Sequence, residues 1–513
     1  MSKISRCFFI LVLGNVVWMS GCGGGSSAPA TPPATPSTYT VVAISDIHFN
    51  PLANPALFTS LNAQPASQWK SIFDNDQATN PAPPAPFGAD TNYPELVLAL
   101  AALKQNLGSS PVVLFSGDML GHDLTQCFYE LDTASTLPAQ LNPASCPVNP
   151  TTTPAETTAM QSFLDKTMAF VSTEIRANVG NVPVIFVPGN IDTYSIYGTG
   201  PDAQFLSDNA STYYTQLLNS SVDQASFQST FTTLGSYSAP ILNSKVLVVA
   251  LDSNPLAQSP YLPPLDPYAE LTWLDSQLAA AQAAGQKVWL IMHVPPGVNT
   301  TGTAQNAAKS VAPNPETDDE AVMMWQAQYQ AEFMLILAKY PGLIAMGITG
   351  HTHMDEFRVL PTGDVFFGIP GISPVFGNNP AFKIFTIAQA SQMPMDYQTI
   401  DYNLAASPAP AQFNSLYTFS TAYGATANTT LESSFQQLYP QLTLTAPDTA
   451  APDTATFLNY YDTGNATSFP YPIGPGTYIQ IPWNMANTAN WPFFSCGISQ
   501  MDEPDYVDCV NSQ

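Results

Sequence analysis

Positive charge is the scarcest resource in this sequence. Twelve Lys and Arg stand against 38 Asp and Glu over 513 residues, a formal net charge of −26. A nucleic-acid backbone is gripped by clustered Lys and Arg that displace its counterions, so a nucleic-acid polymer is excluded as a partner. The same shortage excludes a polybasic hold on anionic lipid. Charged residues of both signs make up only 10%, which leaves the surface to Ser, Thr, Asn, Gln and Pro. No apolar run reaches the ~20 residues of a membrane-spanning helix. The six cysteines include no C-x-x-C pair of the kind that holds structural zinc. Hydrophobic residues, at 45%, are plentiful, so global disorder is excluded too. An anionic substrate would have to be attracted by something other than side-chain cations, and bound metal is the candidate.

The N-terminus reads as a targeting segment. Lys3 and Arg6 precede a short apolar stretch, Phe8 to Met19, closed by Ser20-Gly21-Cys22. This resembles a bacterial lipoprotein signal over residues 1–22, with cleavage before Cys22, lipid on its thiol, and an envelope address that Gly23 tunes toward the outer membrane. A plain secretory signal with an incidental cysteine is the alternative. Residues 23–38 are a flexible Gly, Ser, Ala, Pro and Thr linker. In an exported chain, Cys127, Cys146, Cys496 and Cys509 read as disulfides. Of their three possible pairings, the local one, Cys127–Cys146 with Cys496–Cys509, is the simplest.

From Tyr39 onward, short apolar runs alternate with polar turns and helical stretches. Strands are expected at Tyr39–Ile44, Val112–Phe115, Val182–Val187, Val246–Leu251, Lys287–Met292 and Leu343–Ile348, with later ones at Phe357–Leu360, Val365–Phe367 and Phe382–Ile387. Helices are expected at Pro94–Leu107, Ala155–Asn178, Tyr268–Ala284 and Asp318–Tyr340. The Pro, Asn and Ala-rich excursion up to Asp90 reads as surface loops. This alternation is that of an α/β domain over residues 39–401. Composition shifts near Tyr402, and residues 402–513 read as a smaller, mostly helical subdomain, with helices at Phe413–Gly424 and Leu431–Leu442.

Histidine is rare as well, at five residues, and its placement is not random. Each of His48, His122, His293, His351 and His353 follows an apolar run. In chain order the metal-capable groups are Asp46 and His48, Asp118, Asn190, His293, then His351 and His353. Two divalent cations need such a shell, with one carboxylate shared between them. Imidazole with carboxylate suits Zn, Mn or Fe better than Mg or Ca. A water held by such ions loses a proton near pH 7 and becomes a nucleophile for phosphorus. Singly, each group is weak evidence. A Gly-Asn is usually only a turn, and a lone histidine is usually a satisfied core residue.

The series Asp46-x-His48, Gly117-Asp118, Gly189-Asn190, His293 and Gly350-His351-x-His353 resembles the calcineurin-like metallophosphoesterases. The flanks Gly117-Asp118-Met119-Leu120-Gly121-His122-Asp123, His293-Val294-Pro295-Pro296-Gly297 and Gly350-His351-Thr352-His353-Met354-Asp355-Glu356-Phe357 are similar to the acid sphingomyelinase-like branch. The likeness runs from about Tyr39 to the C-terminus, without a saposin-like segment. It implies a four-layer α/β sandwich holding two metal ions, zinc foremost. Asp46, His48 and His353 would hold one ion, Asn190, His293 and His351 the other, and Asp118 would bridge. His122 would protonate the leaving group, its alternative being a supporting residue bonded to Asp123. The implied activity is metal-dependent hydrolysis of a phosphodiester, either a sphingomyelin-like headgroup ester or a nucleotide-type substrate. Phosphomonoester hydrolysis, or a catalytically weak metal-containing surface lipoprotein, are the alternatives. One departure stands out: Ile191 occupies the place after Gly-Asn where the family usually has a histidine, and an isoleucine neither donates a proton nor stabilises charge.

Overall fold

A computed structural model describes residues 36–513 except 139–145, 147–152, 196–197, 199, 220, 258–264, 310–320, 427, 445–451, 464–467, 475–476 and 483–489. The signal and lipid-attachment readings, including Cys22, fall outside the described residues. Among the described residues no helix is long and apolar enough to cross a membrane.

Two six-stranded mixed sheets carry the fold. The first is built from β1 (Thr38–Ile44), β2 (Val113–Phe115), β3 (Val184–Phe186) and three strands from late in the chain. The second contains β4 (Tyr237–Ile241), β5 (Val246–Leu251), β6 (Lys287–Met292), β7 (Ile344–Thr349), β8 (Phe357–Val359) and β9 (Val365–Gly368). The late strands of the first sheet are β10 (Ala381–Ala388), β11 (Pro394–Asp401) and β12 (Asn414–Thr418). Spatial order is β12-β11-β10-β1-β2-β3 in one sheet and β4-β5-β6-β7-β9-β8 in the other. Strands β1, β2 and β3 run parallel, as do β5, β6, β7 and β9, so their carboxyl ends point one way within each sheet.

Side-chain parity shows how the layers stack. In β5 the residues Val246, Val248 and Ala250 join one large core with Val41, Phe115 and Phe186 of the first sheet. Their alternates Leu247, Val249 and Leu251 join a second core with Leu271, Leu274 and Leu278 of the helix Pro267–Ala284, and with Phe333 and Ile336 of the helix Ala327–Ala338. Successive strand residues face opposite sides, so the second sheet lies between the first sheet and its own helices. The helices Tyr93–Asn106 and Pro154–Val179 pack with the first sheet's core. Helix, sheet, sheet and helix make the expected four layers.

Local differences have physical causes. The stretch before Asp90 folds into two helices, Phe58–Ala63 and Ala66–Thr79, because Phe58, Leu61, Trp69 and Phe73 give the apolar spacing of a buried face. The helix expected over Asp318–Tyr340 spans only Ala327–Ala338. Met323 and Trp325 instead form β-bridges to Val298 and Ala257, and Trp325 donates its indole N–H to the Val294 carbonyl at 3.0 Å. Asn414–Thr418 is a strand rather than the start of a helix, since it completes the first sheet against β11. Both local disulfides form, Cys127–Cys146 and Cys496–Cys509. Residues on both sides of Tyr402 belong to one compact unit, Pro36–Gln513, and among its described residues after Tyr402 helices outnumber strands.

Candidate dinuclear metal centre

The carboxyl ends of both sheets meet at one seam, where α/β folds place their ligands. Asp46 and His48 follow β1, Asp118 follows β2, Asn190 follows β3, His293 follows β6, and His351 and His353 follow β7. Backbone hydrogen bonds stitch these turns together: Asp46 N–H donates to Gly117 O and His48 N–H to Asp118 O, both at 3.0 Å, and Gly350 N–H donates to His293 O at 3.0 Å. Asp46, His48, Asp118, His351 and His353 all have positive φ, between 43° and 71°. Left-handed backbone at a residue with a Cβ costs on the order of 1–3 kcal/mol and concentrates at functional sites. Here it turns each side chain inward at the seam. Gly189 and Gly350 are required by close approach, because a Cβ would collide with the Asp118 carboxylate at the first and with Ser45 and Asp46 at the second.

Seven donors converge. His48 Nε2 lies 3.1 Å from His353 Nε2, 3.3 Å from Asp118 Oδ2 and 3.7 Å from Asp46 Oδ1. His293 Nε2 lies 3.1 Å from Asp118 Oδ2 and 2.9 Å from Asn190 Oδ1, which is also 2.8 Å from His351 Nδ1. Asp118 thus touches both clusters. Three imidazoles spend Nδ1 on a backbone carbonyl: His48 on Leu120 at 3.0 Å, His293 on Ser116 at 2.7 Å and His353 on Ser373 at 3.1 Å. A carbonyl only accepts, so each Nδ1 carries the proton and each neutral ring presents a bare Nε2 lone pair inward. Lone pairs of nitrogen and oxygen facing one another at about 3 Å repel unless a cation lies among them. Protonating some of the rings relieves part of this, and a divalent cation in each cluster relieves all of it. The groups Asp46, His48, His353 and Asp118, His293, His351 each lie close enough to hold one ion. The donor set fits two divalent metals.

Charge within the shell shows the same strain. Burial alone would lower the pKa of His48 and His293, but Asp118 and Asp46 outweigh it and hold both at about 9. His351 is pushed down to about 4 by burial and the neighbouring His293. His353 falls to about 3 through burial, with His48 adding to it against Asp46. Burial would raise Asp118, yet His293 and His48 hold it far below the usual carboxylate range.

Several supports have no signature in the sequence. Asp192 accepts four backbone N–H groups, from Met119 at 2.8 Å, Gly189 at 2.9 Å, Asp118 at 3.0 Å and Leu120 at 3.1 Å, and so locks the Asp118 and Asn190 turns together. Burial and the charge of Asp118 still push Asp192 up to about 6. Supporting residues of this kind typically hold metal affinity by about 10- to 100-fold, so Asp192→Asn is expected to weaken metal retention by that order in chelator competition. Behind the His351–His353 turn, Asp355 pairs with Lys383 at 2.7 Å and Glu356 with Arg358 at 3.0 Å, all buried. His122 contacts Asp90, with Nδ1 2.9 Å from Asp90 Oδ1, rather than Asp123. Asp90 has no motif around it, and only the fold brings it to His122.

The shell floors a cleft of about 640 Å³. Phe87, Ile191, Met354, Val375 and Phe376 give it apolar walls, and Asn299, Thr301 and Gln305 an uncharged polar one. Among the described residues no Lys or Arg lines it. Ile191 and His122 both line this cleft and a smaller neighbouring cavity.

No family model matches the chain. Curated relatives do. "Sphingomyelinase phosphodiesterase C" of Dictyostelium discoideum is 26% identical over 273 residues, which is 48% of this chain and 54% of that protein. "Cyclic GMP-AMP phosphodiesterase SMPDL3A" of Homo sapiens is 24% identical over 299 residues, 54% of this chain and 56% of that protein. Human "Sphingomyelin phosphodiesterase" is 27% identical over 173 residues, 31% of this chain and 23% of that protein. The chain thus spans about half the length, or less, of the curated relatives it matches. Among solved structures, a dimetal phosphatase from Danio rerio aligns over 74% of this chain and 98% of its own at 12% identity, with a TM-score of 0.38.

Proposed function

We propose that this chain, whose relatives include sphingomyelin phosphodiesterases and a cyclic GMP-AMP phosphodiesterase, hydrolyses a phosphodiester at a dinuclear metal centre. The observation that carries the reading is the inward convergence of imidazole nitrogens and carboxylate oxygens around Asp118. Asp46, His48 and His353 would hold one ion, Asn190, His293 and His351 the other, and Asp118 would serve both. Zinc is the best match to this imidazole-rich set. Once bound, two such ions supply Lewis acidity at the phosphoryl oxygens and readiness of a water for attack. The protein supplies the rest. The turns fix the donors before substrate arrives, so no reorganisation is needed during reaction. His122 lines the cleft with Nδ1 committed to Asp90, and from Nε2 it protonates the departing oxygen.

The cleft favours a substrate of low charge. With no Lys or Arg in its described lining, only the centre and a protonated His122 neutralise phosphate, and one phosphodiester carries one negative charge. A polyphosphate chain would leave further charges facing apolar walls at Phe87, Val375 and Phe376. This favours a headgroup-type diester over a nucleotide polyphosphate. Ile191 favours a second reading, in which the same fold is a catalytically weak metal-containing surface protein. In either case we read residues 1–22 as a lipoprotein signal and Cys22 as the lipid-bearing residue that holds the domain at the bacterial envelope.

A substrate panel on zinc-loaded protein separates the readings. Choline-type phosphodiesters are expected to be hydrolysed with kcat/KM at least about tenfold above ATP, the scale of one lost charge contact of about 1.4 kcal/mol. Higher turnover of ATP or of a monoester sinks the low-charge assignment. Two bound metals with no turnover of any ester supports the binding-protein reading.

A further inference from the structure

The uncharged wall of the cleft is braced from behind by a buried chain of side chains that the proposed chemistry does not use. Asn299, Thr301 and Gln305 line the cleft from the turn after β6 and the start of the helix Thr300–Lys309. Behind them stands Tyr461, 4% exposed and supplied by the late part of the chain. Its hydroxyl lies 3.0 Å from Thr300 Oγ1, 3.2 Å from Thr301 Oγ1 and 3.3 Å from Glu356 Oε2. Glu356 pairs through Oε1 with Arg358 Nη2 at 3.0 Å. The same Nη2 donates at 2.9 Å to the carbonyl of Val298, in the turn that carries the wall. Gly497, beside the Cys496–Cys509 disulfide, lies so close to Thr300 that a Cβ there would collide with the Thr300 methyl.

We propose that Tyr461 is a positioning residue for substrate recognition, holding Thr301 so that the polar wall binds a hydroxyl-bearing arm of the diester. A carboxylate only accepts, so the one hydrogen of the phenol points to Glu356. Burial and the Glu356 charge push the phenol pKa up, which keeps that hydrogen in place. The Thr300 and Thr301 hydroxyls therefore donate to the phenol oxygen. Thr301 has then spent its only hydrogen, and what it offers in the cleft is an acceptor. An uncharged acceptor suits a neutral donor such as an alcohol. The opposite side, at Phe87, Val375 and Phe376, offers an alcohol no side-chain partner. Fixing the threonine before the arm arrives lowers the ordering cost of binding. The proposal rests on the phosphodiesterase reading above and adds which part of the substrate is recognised.

A pair of p-nitrophenyl diesters tests it, one with a methyl arm and one with a 2,3-dihydroxypropyl arm, alike in leaving group and charge. On two-metal protein the dihydroxypropyl ester is expected to have a KM about fivefold below the methyl ester, the scale of one hydrogen bond. Tyr461→Phe keeps the ring and its edge-on contact with Phe494 at 4.9 Å. In that variant the KM values are expected to converge to within about twofold, with kcat on both esters within about threefold of native, since only binding is lost. Metal content stays at two ions per chain. Thr301→Val is expected to erase the same preference, and the double variant to lose no more than either single one. Thr301 is only half-buried, so its variant carries the comparison should Tyr461→Phe fail to fold. Equal KM values for the two arms in native protein, a preference that survives Tyr461→Phe, or an equal fall in kcat on both esters overturns the proposal. Amide hydrogen exchange reads the positioning without turnover. Residues 300–305 are expected to exchange about tenfold faster in Tyr461→Phe, with the helix Pro267–Ala284 unchanged, and no change at 300–305 overturns the role. If the native protein turns over neither ester, the phosphodiesterase reading fails, and exchange alone decides whether Tyr461 holds the wall.

Discussion

Asp118→Asn is expected to lower turnover of an aryl phosphodiester by on the order of 10³-fold, the scale seen when a preorganised electrostatic stabiliser is removed. Asp118 Oδ2 is 3.3 Å from His48 Nε2 and 3.1 Å from His293 Nε2, one in each cluster, so a single oxygen is shared by both sides of the site. Its other oxygen accepts the Ile191 N–H at 2.8 Å, which fixes the carboxylate plane. An amide can keep that second bond through its own oxygen. It then turns an N–H₂ donor and no charge toward the place where both ions need an anion. The fold is expected to survive, with an unchanged far-UV spectrum, while metal per chain drops below two. A variant that retains both ions and full turnover would remove Asp118 from the centre of the account.

Lys383→Met is expected to destabilise the domain by about 3–5 kcal/mol, the usual cost of breaking a buried ion pair from one side. Lys383 Nζ lies 2.7 Å from Asp355 Oδ1, donates to Gly368 O at 2.8 Å and sits 4.7 Å from the centroid of the Tyr397 ring. Asp355 Oδ2 accepts from Thr399 at 2.7 Å and Tyr417 at 2.9 Å. Removing the ammonium leaves that carboxylate buried with hydrogen bonds but no counter-charge, two residues beyond His353. Burial already pulls Lys383 below its ordinary pKa, against the attraction of Asp355. The double substitution Lys383→Met with Asp355→Leu is expected to recover most of the loss, because two apolar groups need no partners. Denaturant unfolding of the two single variants and the double gives the coupling directly. A double variant no better than the singles would mean that the Thr399 hydroxyl, newly orphaned, and the Tyr417 hydroxyl, left with Tyr397 alone, dominate.

The donors were legible in the sequence because each follows a strand of short, dense apolar residues. Val246–Leu251 and Lys287–Met292 have the strand limits their composition predicts, and β7, Ile344–Thr349, is displaced by one residue from Leu343–Ile348. Asp90 and Asp192 were not legible as supports, since their roles depend on backbone N–H groups and a ring brought near only by folding. The helices before Asp90 were obscured by Pro and Asn, although Trp69 and Phe73 repeat at helical spacing. Asn414–Thr418 was hidden differently. It is a sheet-edge strand with two exposed residues, so its strand character comes from pairing with β11 rather than from its own pattern. The tie between the late chain and the site, through Tyr417 on Asp355 and the Tyr461 carbonyl on the Asp355 N–H, is likewise a product of tertiary contact.

We propose that seven side chains, carried by turns at the ends of both sheets, would hold two metal ions that drive phosphodiester hydrolysis. Stepwise zinc titration of chelator-stripped protein, with bound metal and turnover of an aryl phosphodiester read on the same samples, tests it most directly. Bound zinc is expected to saturate at two ions per chain, with turnover absent in stripped protein and maximal only as the second ion binds. Full turnover in the stripped protein, or no tightly bound metal at any added concentration, would contradict it.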